Sequence, residues 1–351
     1  MKIALAQIVA DIGALIAADD FPDRIRPDYL AEAVRDYPSR GGKRLRPALV
    51  VWSCGLLGGE VALARYPAAA VEVYHNWTLV HDDIIDQDAF RRNLPTTHHQ
   101  LAAIMRERFA ADPVEADRLG RDFAMLCGDL QQAWANHLLL RSVADGVEPA
   151  TALRIAVRLQ ELGNRDLVSG EALDMELALR RIEDVTAAEA REMIGLKTGA
   201  LLQLAAETGA LLAGGTDEEV RRLGTFAMLC GIAFQLRDDY LGIFGDGVKL
   251  GKKIGADLRE AKPTVLLLAA LEKSDAPARA RLLGFLRRER YDESDMAEVR
   301  TLLTACGAAA AVTAEADRLA GQARTMLAAF PANRFRDCLA AFAAYLVERD
   351  K

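Results

Sequence analysis

Between Pro149 and Pro263 the chain contains no proline, and Ala, Leu, Glu and Arg fill the interval. These residues have the most favourable helix propensities, whereas an interior proline costs a helix about 3 kcal/mol. So long a proline-free stretch of helix formers directs the chain towards helices. From Ala152 to Leu162 the apolar residues recur three and four apart, as one buried helix face requires. The same spacing returns around 196–212, 220–241 and 264–271. Alternating runs rich in Val, Ile and Thr are missing, so no sheet is expected. Glycine and proline gather at 38–47, 111–113, 214–216 and 242–255, which read as loops between helices. None of these resembles a long polar linker. The expectation is an all-α fold, one domain over residues 1–351 built from ten or so helices.

Composition narrows the function classes. Of 351 residues, 51% are hydrophobic, enough for a large core, which excludes general disorder. A net charge of −7 argues against nucleic acid or a membrane surface as partner, because both require a basic footprint. An anionic ligand would need a local basic cluster. The five cysteines are odd in number and form no CxxC pair, so a reducing, cytoplasmic setting is expected. The apolar residues 1–18 are interrupted by Lys2, Gln7 and Asp11, unlike a signal peptide. No apolar stretch approaches the ~18 residues of a membrane span. Gly245, Gly247 and Gly251 miss the GxGxxG spacing, and Lys253 stands where a P-loop needs Ser or Thr, so neither nucleotide motif holds.

The informative segment is 71–99. An apolar helical pattern there carries Asp82, Asp83 and Asp86. Asp82 and Asp86, four apart, stand one turn apart on one face, where like charges repel by ~0.2–0.5 kcal/mol. Such a pair is either a solvated acidic helix end or half of a divalent-cation site, since Mg²⁺ favours carboxylate oxygens and bridges to phosphates. A second adjacent pair, Asp238 and Asp239, closes another apolar helix. Two pairs in matching contexts favour facing walls of one metal-binding cavity, as in helical bundles with inward carboxylates. Cations accompany them: the glycine-flanked loop 41–47 with Lys43, Arg44 and Arg46, then Arg91 and Arg92, Lys197 with Thr198 opening a helix, and Lys252 and Lys262. Taken singly, each reads as a solvated surface charge. Together, carboxylates for metal, forked arginines and compact lysines fit a diphosphate with an apolar tail.

GGKRLRP (41–47), HDDIID (81–86) with RRNLPT (91–96), LKTGALL (196–202) and FQLRDDYLGIFGD (234–246) with GKKIGADLREAKPT (251–264) resemble the trans-isoprenyl diphosphate synthases, or polyprenyl synthetases. The resemblance implies antiparallel helices around a deep central cavity, a homodimer, and condensation of isopentenyl diphosphate with an allylic diphosphate. It implies up to three Mg²⁺ ions, with Asp82 and Asp86 as ligands, Asp83 in support, and Asp238 with Asp239 at the other wall. Lys43, Arg46, His75 and Arg92 match positions that bind isopentenyl diphosphate. Arg91, Lys197, Thr198, Gln235, Lys252 and Lys262 match those around the allylic diphosphate, with Lys197, Thr198 and Gln235 in the catalytic role.

Three departures accompany the match. Gly242 stands where the second motif has its last aspartate, Asn93 replaces a glycine, and Glu171 in GEALD replaces a glutamine, with Asp174 matching. Product length in this family is read just before the first aspartates, here at Trp77 and Thr78. Trp77 is either a floor beneath the growing tail or ordinary core. An aromatic floor with no insertion in DDIID resembles the geranylgeranyl (C20) type, the alternative being farnesyl (C15). Two rival classes are a class I terpene cyclase, which has no use for the basic loop or His75, and a regulatory subunit of a heteromeric synthase, which would not need all three first-motif aspartates.

Overall fold

The computed structural model describes residues 1–245, 255–288 and 290–348. Lys252 and Asp246 lie outside the described residues. Helices dominate, with seventeen α-helical segments among the described residues rather than ten or so. The chain divides into two compact units: residues 1–157 with 207–216, and residues 158–206 with 217–351.

In the first unit, α1 (Lys2–Ala18), α2 (Asp28–Ser39) and α3 (Leu45–Leu56) precede the long α4 (Arg65–Ile85). α5 (Thr97–Phe109) and α6 (Pro113–Arg141) follow. α6 begins where its sequence dictates. Asp112 caps it, its carboxylate accepting from the amides of Val114 (3.0 Å) and Glu115 (3.2 Å), and Pro113 occupies the first position, where no amide is needed. α4 lies along α6 and buries Ala68, Ala69, Val73, Tyr74, Trp77 and Val80. Close approach is possible because α6 presents Gly128. A Cβ there would overlap the His81 imidazole and lie 3.2 Å from Trp77 Cδ1. The expectation of no sheet needs one correction. Phe90–Arg91 (β1) and Leu94–Pro95 (β2) form a two-residue antiparallel ladder. Arg92 and Asn93 turn it with φ of 55° and 62°. A ladder this short has no room for alternation, the signal by which a strand is read.

The second unit begins at the last residue of α7 (Pro149–Arg158), from which a π-helical segment Leu159–Leu167 leads into α8 (Val168–Leu179). Another, Gly195–Gly199, joins α9 (Ala187–Ile194) to α10 (Ala200–Leu212). Lys197 and Thr198 therefore do not open a helix but occupy a widened turn within one. Neighbouring backbone crowds this turn closely. A Cβ on Gly170 would lie 2.7 Å from the Leu196 carbonyl carbon, and one on Gly231 would lie 2.7 Å from Gly199 Cα. π-segments of this kind recur at functional sites. α11 (Asp217–Phe244) runs two residues past Gly242, further than the loop expected from 242 onwards, because Ile243 has a buried place to fill. The short α12 (Ala256–Glu260) and α13 (Val265–Lys273) come next, α13 capped by Thr264 Oγ1 accepting from the Leu267 amide at 3.2 Å. α14 (Ala276–Phe285), α15 (Glu293–Ala305), α16 (Ala308–Met326) and α17 (Arg334–Glu348) complete the unit. Its core gathers Leu236, Ile243, Leu266, Leu267, Val299, Leu303 and Val312. No helix among the described residues is long and apolar enough to cross a membrane.

Candidate active site

The first unit holds the basic loop and the first aspartates. At the C-terminal end of α4 the three aspartates separate by face. Asp83 is fully buried, Asp82 half-buried and Asp86 exposed. Asp82 and Asp86 remain one turn apart, the Asp86 amide donating to the Asp82 carbonyl at 2.8 Å. Asp83 turns inward instead. Arg91 Nε donates to its two oxygens at 2.7 and 2.9 Å, and the Tyr37 hydroxyl donates to Oδ2. Burial raises the Asp83 carboxyl above its ordinary value, and Arg91 and Tyr37 hold it partway back. Burial acts to loosen the proton on Arg91, but Asp83 outweighs it. Arg91 also reaches Asp82, with Nη2 3.4 Å from Oδ2. The expected support from Asp83 thus takes the form of anchoring an arginine beside Asp82.

Positive charge collects around His75. Burial first, then Arg46, Arg91, Arg92 and Arg44, hold its imidazole well below the ordinary histidine value, so it is neutral at pH 7. Arg44 is structural, paired with the buried Glu72 and donating to the Pro38 carbonyl. Arg46 differs: its Nε is buried with no hydrogen-bond partner, and burial pulls its guanidinium down to about 10. Exposed Arg92 donates to the Gly41 carbonyl, tying the turn of the ladder to the loop, and Lys43 stands exposed on that loop. Arg46 and Arg92 both lose proton affinity here, burial being the main cause in each and neighbouring arginines adding to it at Arg92. A cluster of this kind is stabilised by an anion.

Two residues after His75 on α4, Trp77 is 7% exposed and packs edge-on against Tyr74 (4.7 Å between ring centres) and His81 (5.6 Å). Its Nε1 is buried without a partner. Half-buried Thr78 donates to the His75 carbonyl at 2.8 Å.

The second unit holds the rest. Lys197 Nζ lies 2.7 Å from Asp174 Oδ2 and 2.8 Å from Glu171 Oε2, and Lys262 Nζ lies 2.8 Å from the same Asp174 oxygen. Burial would raise the Asp174 carboxyl, but the two lysines outweigh it and leave it below its ordinary value. Thr198 Oγ1 donates to Gln235 Oε1 at 3.2 Å, and Gln235 Nε2 donates to Asp239 Oδ1 at 2.9 Å. A cavity of about 50 Å³ is lined by Asp174, Lys197, Thr198, Gln235, Asp239 and Lys262, which brings four separated stretches of sequence together. Burial first, then the like charges of Asp257 and Asp238, push the Asp239 carboxyl up to about 8.

Asp257 is the residue that reading the sequence did not single out. A Cβ on Gly242 would lie 3.2 Å from its Oδ2, so its carboxylate occupies the neighbourhood of the position where the second motif lacks an aspartate. Its place beside Lys262 in ADLREAK was the available signal. Tyr37, 46 positions before Asp83, had none.

These donors suit Mg²⁺. Asp238, Asp239 and Asp257 are hard oxygen ligands whose mutual repulsion a cation would relieve. Among the described residues no three candidate ligands close into a cage. Mg²⁺ rarely needs one, taking one or two carboxylates together with substrate phosphates.

The polyprenyl synthetase family model matches residues 27–303. The chain belongs to the polyprenyl synthetase family. It is a prenyltransferase of the isoprenyl diphosphate synthase type, with the all-α fold of that family. Among polyprenyl synthetases, it is 34% identical over 331 residues to the geranylfarnesyl diphosphate synthase of Aeropyrum pernix, covering 93% of this chain and 96% of the relative. It is 38% identical over 246 residues to the geranylgeranyl diphosphate synthase of Sulfolobus acidocaldarius, covering 69% and 67%. The crystal structure of geranylgeranyl pyrophosphate synthetase from Pyrococcus horikoshii matches with a TM-score of 0.85 at 31% identity, over 99% of both chains. That of the Corynebacterium glutamicum geranylgeranyl pyrophosphate synthase, complexed with isoprenyl diphosphate and magnesium, matches with a TM-score of 0.86 at 26% identity, over 98% and 99%.

Proposed function

We propose that this prenyltransferase condenses isopentenyl diphosphate with an allylic diphosphate to give geranylgeranyl diphosphate, as a homodimer in a reducing cytoplasm where its five cysteines stay free thiols. One catalytic domain over residues 1–351 is part of the proposal, since the family match runs through both units. The observation that carries it is the unpartnered, buried Arg46 Nε beside neutral His75 and Arg92, in the same unit as Asp82 and Asp86. An anion site separate from the lysines of the second unit is what a two-substrate condensation needs and a one-diphosphate cyclase does not.

In this reading Lys43, Arg46, His75 and Arg92 hold isopentenyl diphosphate, and Arg91, Lys197, Lys252 and Lys262 serve the allylic diphosphate. Asp82, Asp86, Asp238 and Asp239 would hold up to three Mg²⁺ ions, which supply Lewis-acid stabilisation of the departing diphosphate. Lys197 and Lys262 are fixed cations placed where charge develops as the allylic C–O bond breaks. The oxygens of Thr198 and Gln235 offer dipoles to the allylic cation. The isopentenyl double bond then forms the new C–C bond, and the proton lost goes to the released diphosphate. Trp77, with Thr78, limits the tail at C20.

Incubating the protein with Mg²⁺, labelled isopentenyl diphosphate and dimethylallyl, geranyl or farnesyl diphosphate in turn should yield C20 from each. Accumulation of C15 without C20, or a principal product of C25, would refute the product assignment. No chain extension with any primer would refute the function.

A further inference from the structure

Arg46 of the first unit and the two lysines of the second stand in opposite states. Arg46 has a buried donor with no hydrogen-bond partner. Lys197 and Lys262 are engaged: both meet Asp174 Oδ2, and Lys197 also meets Glu171 Oε2 at 2.8 Å. Two ammonium groups thus face two carboxylates. Asp174 is shared by both lysines and buried, so it serves as a common anchor. Glu171 touches Lys197 from the next turn of α8 and is only half-buried. A glutamine in that place would keep the shape and a hydrogen-bond acceptor without the charge.

We propose that Glu171 is a tether that competes with the bound diphosphate for Lys197, and so sets how readily the chain takes up and releases that anion. Of the three donors of the Lys197 ammonium, Asp174 and Glu171 each engage one, so its charge is already shared between two carboxylates and less of it is left for a diphosphate while Glu171 stays in place. When an anion enters, the Glu171 carboxylate is left next to it, and like charges at that range oppose binding. Both effects act in one direction, weakening the hold on the anion and hastening its release. Glu171 acts through Lys197 and is a positioning residue. The inference rests on the assignment of Lys197 to the allylic diphosphate.

The test is binding of inorganic pyrophosphate, in the presence of Mg²⁺, to the full chain by calorimetry, alongside KM for each substrate. Glu171→Gln and Glu171→Ala should both tighten pyrophosphate about two- to fivefold, as expected for one half-buried charge. KM for the allylic substrate should fall while KM for isopentenyl diphosphate stays unchanged, a split that a loss of fold would not produce. Unchanged or weaker pyrophosphate binding in both variants overturns the tether. Lys197→Ala separates the two ideas. If it weakens pyrophosphate while the Glu171 variants change nothing, the tether fails and the site assignment stands. If Lys197→Ala also changes nothing, the assignment itself fails.

Discussion

Arg91 holds Asp83 through two nitrogens, Nε at 2.7 and 2.9 Å from the two carboxylate oxygens and Nη2 at 2.5 Å from Oδ1, and Asp83 has no solvent exposure. Removing one partner of a buried pair leaves an uncompensated charge, at a cost of about 3–5 kcal/mol. Asp83→Ala should therefore unfold at markedly lower urea concentration. Asp83→Asn, which keeps the shape and one acceptor, should lose less.

The neighbouring residue should behave in the opposite way. Asp82→Ala removes a half-buried carboxylate that Asp86 repels and Arg91 attracts only at 3.4 Å, so its urea midpoint should barely move. Its turnover should fall on the order of 100-fold or more, as when a transition-state charge contact is lost. Turnover close to wild type would remove Asp82 from the metal assignment.

That contrast marks what the sequence could convey. Spacing showed that Asp82 and Asp86 share a face, because helical periodicity is a local property. It could not show that Asp83 faces inward towards Arg91 and Tyr37, since those partners come from a two-residue ladder and from α2. Composition and periodicity were enough for an all-helical fold. The π-turn at Lys197 was not legible, and the glycines that approach its backbone, Gly170 and Gly231, are remote in sequence. Asp257 was missed for the same reason: its relation to Gly242 exists only in three dimensions.

Gly128→Ala sets two effects against each other. Alanine gains about 0.8–1 kcal/mol of helix propensity. The added methyl would overlap the His81 ring and crowd Trp77, and overpacking costs typically about 1–3 kcal/mol. The variant should be net destabilised. In a His81→Ala background the same change should become neutral or stabilising, which a double-mutant cycle in urea would read.

Asp257→Asn should raise the Mg²⁺ concentration needed for half-maximal turnover, roughly tenfold. Mn²⁺ binding followed by electron paramagnetic resonance should weaken in step. Gly242→Asp should not improve affinity, because its new side chain enters space that Asp257 Oδ2 already borders at 3.2 Å.

Acid should destabilise the fold partly through His98. Burial, followed by His99 and Arg121, lowers its imidazole to about 4. The unfolded state, with an ordinary value near 6.5, binds the proton first, so stability is full above that value and declines as pH falls towards 4. Between pH 7 and pH 5 the loss from this residue should be about 1–2 kcal/mol. Urea unfolding of His98→Asn at both pH values should show a correspondingly smaller difference.

The packing of Gly170, Gly199 and Gly231 has a mechanical meaning. Three backbones meet where side chains would ordinarily separate them, so the main chain beneath Lys197 has nowhere to retreat. Whatever travel this cation has lies in its own four methylenes, pivoting on a fixed base. A methyl added at residue 170 or 231, neither of which is assigned a contact with substrate, would displace that pivot. Such positions are where a change distant from the chemistry would be felt as a misplaced charge, and where redesign of the head-group site should begin by leaving the glycines alone.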